Sequence, residues 1–107
     1  MQTLSPNFAL TPNLQHYLGG KYKVAILYHL RESVVRFGEL HRLMPLATKR
    51  MLTKQLRELE ADGMITRKVF RQVPPRVDYS LTKEGRSIAP ILDELCDWGK
   101  RRIGRST

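Results

Sequence analysis

A chain of 107 residues has the length of one domain, and its composition, 41% hydrophobic and 27% charged, is that of a globular protein and excludes a disordered one. With 19 lysines and arginines against 10 aspartates and glutamates, the formal net charge is +9, which favours an anionic partner, either nucleic acid or a membrane surface. A single cysteine, Cys96, excludes an intrachain disulfide framework and fits a reducing compartment.

The N-terminal sequence lacks the features of a targeting signal, because it has neither a basic start nor a sustained apolar stretch. The longest compact apolar segment, residues 24–30, is interrupted by His29 and is far shorter than the roughly 20 residues that span a membrane. We therefore expect a cytoplasmic protein with no membrane partner.

The chain divides into three expected segments: a flexible N-terminal arm of residues 1–11, one domain of residues 12–99 and a basic C-terminal tail of residues 100–107. Proline after a capping threonine predicts a short helix over residues 12–18. Residues 21–31 are apolar on several sides and predict a second helix, which should be the most buried one.

The next segment predicts a short extended element followed by a third helix. Residues 33–37 are rich in β-branched side chains and fit either a small strand or an extended connector. Residues 38–44 predict a helix that ends before Pro45. Three apolar residues should lie on its inner side: Leu40, Leu43 and Met44.

Residues 47–63 predict an amphipathic helix, called the recognition helix below. Leucines recur at positions 52, 56 and 59, which places one apolar stripe toward a core. Thr48 is a suitable N-cap, and Gly63 suits the left-handed residue that ends a helix. The opposite face carries Lys49, Arg50, Thr53, Lys54 and Arg57. An isolated helix of this kind is more often an ordinary charged surface. Whether it binds a partner must therefore be inferred from the elements that precede and follow it.

The segment that follows predicts a β-hairpin, called the wing below. Residues 65–72 and 76–81 are rich in β-branched and aromatic side chains and flank Val73-Pro74-Pro75. Its basic residues are Arg67, Lys68, Arg71 and Arg76, opposed by Asp78. These charges could serve solubility alone, but a helix, a tight turn, a basic helix and a basic hairpin occur in the order of a winged-helix DNA-binding domain.

The last part of the domain predicts a long helix that is interrupted once. Thr82 can cap its start, and Pro90 predicts a kink or a break with a restart near Ala89. A wide apolar stripe consists of Ile88, Ile91, Leu92, Leu95 and Trp98. We expect this stripe to form a dimer interface with a second copy, and the alternative is that it packs only within its own subunit.

Several short sequences follow one another between about residues 18 and 99. They are GGKYK (19–23), RFGEL (36–40), MLTKQLREL (51–59), DG (62–63), VPPRVDYSLT (73–82) and LCDWG (95–99). Together they resemble the HxlR-type transcriptional regulators, which are bacterial winged-helix proteins related to the MarR-like group. The resemblance implies a homodimer on two inverted half-sites that represses or activates nearby genes, often in response to an electrophile, an oxidant or a small molecule.

Three positions depart from the pattern of that family. Tyr22 stands where tryptophan is common, and Leu46-Ala47-Thr48 replaces a glycine, a β-branched residue and a serine before the recognition helix. Members that sense thiol stress usually have a cysteine shortly before the first helix, whereas residues 7–13 contain none. We therefore expect no sensing through a thiol at that position.

The sequence gives little support for a reactive thiol, a metal site or a catalytic site. Cys96 stands among the acidic residues 93, 94 and 97, which argues for a small buried hydrophobe and against a reactive thiolate, although Lys100 and Arg101 follow. His16, His29 and His41 lack the spacing of a metal site. No glycine-rich phosphate loop and no nucleophile elbow occur in the sequence, so we expect no cofactor and no enzyme.

These features predict a mainly α protein with a small β-hairpin (α+β), a winged helix-turn-helix domain that dimerises through its N- and C-terminal helices. We expect a homodimeric, sequence-specific double-stranded DNA-binding regulator, a repressor, that acts on an inverted-repeat operator, with an unidentified small-molecule effector as a further partner. Two alternatives remain open: a non-specific architectural nucleic-acid-binding protein, and a winged-helix module that binds another protein. The expected DNA contacts are Thr48, Lys49, Arg50, Thr53, Lys54 and Arg57 on the recognition helix and Arg67, Lys68, Arg71 and Arg76 on the wing.

Overall fold

A computed structural model of the protein describes residues 19–106. The expected arm over residues 1–11, the helix over residues 12–18 and the cysteine-free segment over residues 7–13 lie outside the described residues. The elements in chain order are α1 (Lys23–His29), β1 (Val35–Arg36), α2 (Phe37–Leu43), α3 (Lys49–Ala61), β2 (Ile65–Phe70), β3 (Arg76–Leu81), α4 (Lys83–Arg86) and α5 (Ala89–Ser106). This architecture confirms the predicted α+β winged helix-turn-helix fold.

Helix α1 is shorter than predicted, but it lies at the centre of the core. Ile26 and Leu27 are fully buried, as the apolar composition of this segment predicts. Lys23 is also buried, and its Nζ lies 2.8 Å from Oε1 of Glu58 on α3. This ion pair joins two helices that are far apart in the chain, and it gives the buried ammonium group a partner.

Helix α2 follows β1 directly and differs from the prediction at one position. Leu40 and Met44 are buried as expected, whereas Leu43 is 45% exposed. The prediction that Leu43 lies on the inner side was wrong. Met44 is the C-cap of α2, and its N–H donates to the carbonyls of Leu40 and His41, so its side chain is placed on the core beside Leu40 while Leu43 lies at the edge of the buried face.

Helix α3 begins and ends where local signals in the sequence predict. The Thr48 side chain accepts a hydrogen bond from the backbone N–H of Met51 at 3.1 Å, which caps the helix. At the other end, Gly63 has a φ of +78°, and the N–H of Met64 donates to the carbonyl of Leu59 at 3.0 Å. That bond belongs to a Schellman motif, in which glycine avoids the strain that a Cβ would cause.

The wing is part of a three-stranded antiparallel sheet with strand order β1-β3-β2. The two residues of β1 pair with β3, with Val35 opposite Tyr79, so the segment predicted as a strand or a connector is a strand. Strand β2 pairs with β3 along its whole length, from Ile65 opposite Leu81 to Phe70 opposite Arg76. The side of the sheet that carries Ile65, Tyr79 and Leu81 packs on the helices, because all three side chains are buried.

The final helix breaks where the sequence predicts a restart. The Thr82 hydroxyl accepts the N–H of Gly85 at 3.0 Å and caps the single turn α4, and α5 then begins at Ala89. A Cβ on Gly85 would lie 2.0 Å from the carbonyl oxygen of Met64, so this close approach requires glycine. Helix α5 continues to Ser106 and therefore includes residues 100–106 of the expected basic tail.

Among the described residues, no helix is both long enough and apolar enough to cross a membrane.

Candidate nucleic-acid interface

The outward face of α3 carries a row of cations opposite the buried leucines. Leu52, Leu56 and Leu59 are fully buried, which fixes the helix against the core. Lys49, Arg50, Lys54 and Arg57 are exposed, and Thr53 is half-buried between them. None of these four cations forms an ion pair with another described residue. Their charges are therefore open to an anionic partner.

The wing cations are engaged within the protein to a greater extent. Nε of Arg67 lies 3.2 Å from Oε1 of Glu60 on α3, which ties the wing to the recognition helix. Arg76 contacts Asp78 through two nitrogen–oxygen pairs, at 3.2 and 3.1 Å, and its guanidinium lies 4.2 Å from the centre of the Phe70 ring. Two of the four predicted wing contacts thus have a carboxylate partner already.

The other two wing cations are more accessible. Nζ of Lys68 lies 5.1 Å from the centre of the Phe70 ring, on the opposite side of the sheet from the buried Tyr79. Arg71 follows the end of β2, is exposed and has no ion pair within the described part of the chain. We therefore expect Lys68 and Arg71 to contribute more of the free positive charge of the wing than Arg67 and Arg76.

A cleft of about 420 Å³ separates α3 from the wing. Its lining includes Thr53 and the arginines at positions 36, 57, 67 and 76, with Phe37 and Tyr79. Burial raises the pKa of Tyr79, so its phenol stays protonated and neutral beside these guanidinium groups. The guanidinium groups of Arg36 and Arg57, which form no ion pair with another described residue, match the oxygens of a phosphate in geometry and charge. The cleft is therefore suited to an anionic strand that passes between helix and hairpin.

Arg36 was missed by the sequence reasoning. It is exposed, immediately precedes α2 and lines the cleft with residues from α3 and the wing. The only signal was one more arginine in a short extended segment. Its position beside the cleft depends on the pairing of β1 with β3, which places Arg36 opposite Asp78.

The apolar stripe predicted as a dimer interface divides into two parts. Leu92 is only 4% exposed and belongs to the core of its own subunit, and Ile88 packs against that core. Ile91, Leu95 and Trp98 are 62%, 53% and 54% exposed. Leu92 and Ile88 thus pack within their own subunit, and Ile91, Leu95 and Trp98 are the members of the stripe that expose apolar surface. The dimer interface itself stays a prediction.

Cys96 lies half-buried between α1 and α5. Its Sγ is 3.5 Å from the hydroxyl of Tyr28, and this hydrogen bond is the main cause that raises the pKa of Tyr28. The guanidinium of Arg31 lies 3.8 Å from the centre of the Tyr28 ring, and its Nε contacts Asp93 at 2.7 Å. Within residues 19–106, no group of three or more histidine, cysteine, aspartate or glutamate side chains could hold a metal ion.

A core-anchored helix with free cations, preceded by a short helix and followed by a basic hairpin, defines a winged helix-turn-helix domain of the DNA-binding class. The chain belongs to the HxlR-like helix-turn-helix family, whose model matches residues 17–107. It is a transcriptional regulator with a helix-turn-helix DNA-binding domain.

Named relatives and solved structures agree with this family. The chain is 57% identical over 88 residues to the HTH-type transcriptional regulator YtcD of Bacillus subtilis. This match covers 82% of the chain and 70% of YtcD. It is 53% identical over 83 residues to an HTH-type transcriptional regulator of Methanothermobacter thermautotrophicus, and this match covers 78% of the chain and 63% of that relative. The oxidised form of the redox regulator HypR matches with a TM-score of 0.79 and 46% identity, over 85% of this chain and 94% of that one.

Proposed function

We propose that the protein is a homodimeric repressor that binds an inverted-repeat operator in double-stranded DNA, with one recognition helix in the major groove of each half-site. The observation that carries this proposal is the face of α3, where four exposed cations have no ion pair with a described residue. A stripe of buried leucines on the other side holds that face in a fixed orientation. Fixed orientation matters because sequence preference requires donors at defined positions.

The predicted contacts take different roles in this proposal. Lys49, Arg50, Thr53 and Lys54 face the bases of the major groove. Thr48 holds the first turn of the helix in place, since its side chain caps α3. Arg57 lines the cleft beside the wing and contacts phosphate. The wing cations Arg67, Lys68, Arg71 and Arg76 contact the backbone or the minor groove, and the first and last of these are already oriented by carboxylates.

The test is the selection of bound fragments from a random pool of duplex DNA. The proposal expects enrichment of an inverted repeat. A non-specific architectural protein, which the net charge of +9 favours, would give a steep salt dependence and no enriched sequence. A module that binds another protein would show little affinity for any duplex at physiological salt.

A substitution separates base contacts from phosphate contacts. Arg50→Ala should lower the affinity for the selected site more than the affinity for unrelated duplex, because a good arginine–base pair contributes about 1–3 kcal/mol of discrimination. An equal loss on both duplexes would make Arg50 a phosphate contact. Lys83→Ala is the control, since Lys83 is exposed but lies on α4 and outside the proposed interface, so both affinities should stay close to those of the wild type.

The name of HypR describes that protein as a redox regulator. We leave a redox signal out of the proposal for this chain, because residues 7–13 contain no cysteine and Cys96 is the only thiol. The effector that we propose is a small molecule of unassigned chemistry.

A further inference from the structure

Leu46 is a large apolar side chain in a place where folding does not require one. It lies in the turn between α2 and α3 and is 89% exposed, while Met44 and Ala47 on either side of it are buried in the core. Single exposed leucines are common on proteins and by themselves indicate nothing. This one differs because buried residues anchor the turn before and after it, at Met44 and Ala47, while the Leu46 side chain is exposed.

The turn is held by three hydrogen bonds. The N–H of Ala47 donates to the carbonyl of Met44 at 3.1 Å, and the hydroxyl of Tyr22 donates to the carbonyl of Leu46 at 3.2 Å. Nε2 of His41 lies 3.0 Å from the carbonyl oxygen of Ala47, which accepts its hydrogen bond. Leu46 is therefore presented from a fixed backbone, so a contact that it makes has a defined position.

Leu46 also lies next to the surface that we propose meets the bases. Thr48, the N-cap of α3, is two residues away, and Lys49 and Arg50 form the first turn of the helix. Leu46 and Thr48, on either side of the buried Ala47, are both exposed. In helix-turn-helix proteins, the N-terminal residues of the recognition helix are the ones that contact base edges.

The chemistry of the major groove then identifies the partner. Hydrogen-bond donors and acceptors make up almost all of its edge pattern, and the one apolar feature is the 5-methyl group of thymine. We propose that Leu46 is a specificity-determining residue that contacts a thymine methyl group at the edge of each half-site. This inference rests on the proposed function, since it requires α3 to enter the major groove.

The test is a double-mutant cycle between the side chain and the methyl group. Each thymine of the selected site is replaced in turn by deoxyuridine, which removes the methyl group and keeps every hydrogen-bonding atom. At one thymine per half-site, the full-length wild-type protein should lose about fourfold in affinity, the factor that corresponds to one buried methyl group. With Leu46→Ala, the same replacement at that thymine should have no effect.

Leu43→Ala is the matched control, because it removes another exposed leucine, on α2 and outside the turn. Its cycle should keep the full wild-type effect of the methyl group, and both variants should melt at the temperature of the wild type. If replacing thymine by deoxyuridine changes the affinity of Leu46→Ala as much as that of the wild type at every position, the inference is overturned while the proposed function stands. If wild-type protein selects no site at all, the proposed function fails and this inference fails with it.

Discussion

Gln55 is a polar residue on the buried side of α3, beside the leucine stripe. Its Oε1 accepts the backbone N–H of Tyr22 at 2.9 Å, so it satisfies a donor at the start of α1. We predict that Gln55→Leu lowers the free energy of unfolding by about 1–3 kcal/mol, the cost of a buried donor without a partner, although leucine is more hydrophobic. Urea denaturation followed by circular dichroism measures this change.

Gln72→Leu is the control for that prediction. Gln72 is exposed beyond the end of β2, so the same substitution there should change the free energy of unfolding by less than about 0.5 kcal/mol. A Gln55→Leu protein as stable as the wild type would mean that the Tyr22 N–H finds another acceptor.

His29 gives the stability a pH dependence. Burial, with a smaller contribution from Arg31, lowers the pKa of His29 in the folded protein below its ordinary value of about 6.5. As the pH falls through about 6.5, the unfolded chain therefore takes up the proton before the folded protein does, and the free energy of unfolding decreases. We predict that His29→Gln flattens the loss of stability between pH 7.5 and 5.5, as measured by urea denaturation at each pH. Parallel curves for both proteins would assign the loss to other groups.

Single residues also mark the limit of what the sequence could predict. The cations of α3 and the wing are visible in the sequence, but the Lys23–Glu58 and Arg67–Glu60 pairs are not, because each joins elements that meet only in the fold. The same holds for Arg36, whose contribution to the cleft depends on the pairing of β1. Which cations are free could be learned only from the three-dimensional arrangement.

At the scale of the element, the first turn of α3 depends on its cap. We predict that Thr48→Ala lowers the free energy of unfolding by about 0.5–2 kcal/mol, because the N–H of Met51 loses its acceptor. The affinity for the selected DNA should fall as well, since Lys49 and Arg50 lie in that turn. Thermal melting and DNA titration measure the two effects.

Thr48→Ser keeps the hydroxyl group and is the matched control for the cap. It should retain most of the stability and most of the DNA affinity. A protein in which alanine and serine behave alike would show that the cap contributes little to either property.

The elements differ in how far the sequence predicts them. Helix α3 carries its own signals, namely the Thr48 cap, the spacing of its leucines and the Gly63 stop, so its bounds were predicted to within two residues. The apolar stripe over residues 88–98 is visible in the sequence, but periodicity cannot tell which of its side chains pack within the subunit. The structure assigns Leu92 to the core and leaves Leu95 exposed.

At the scale of the whole molecule, the exposed side of α5 leads to a prediction about assembly. Ile91, Leu95 and Trp98 present apolar surface that a second copy would bury. We predict that Leu95→Glu converts a dimer into a monomer, because the interface would then have to bury a carboxylate within apolar surface. Light scattering at micromolar concentration measures the mass. Binding to an inverted repeat should weaken when the dimer is lost.

Val34→Glu is the control for assembly, since Val34 is also an exposed apolar residue but lies before β1. It should leave the mass and the DNA affinity unchanged. A wild-type protein that is already monomeric at this concentration would contradict both the dimer and the inverted-repeat operator.

Thr82 connects three parts of the molecule through a single hydroxyl group. Its Oγ1 lies 2.6 Å from the carbonyl oxygen of Gly63 and 3.1 Å from that of Met64, at the end of α3, and it accepts the N–H of Gly85 at the start of α4. Thr82 itself follows β3 directly. In a dimer whose subunits contact each other through α5, the orientation of α5 relative to α3, which this junction holds, would determine the distance between the two recognition helices. Half-sites one helical turn of DNA apart require about 34–36 Å. Relatives whose operators differ in spacing should therefore differ at this junction, even where their recognition helices are identical.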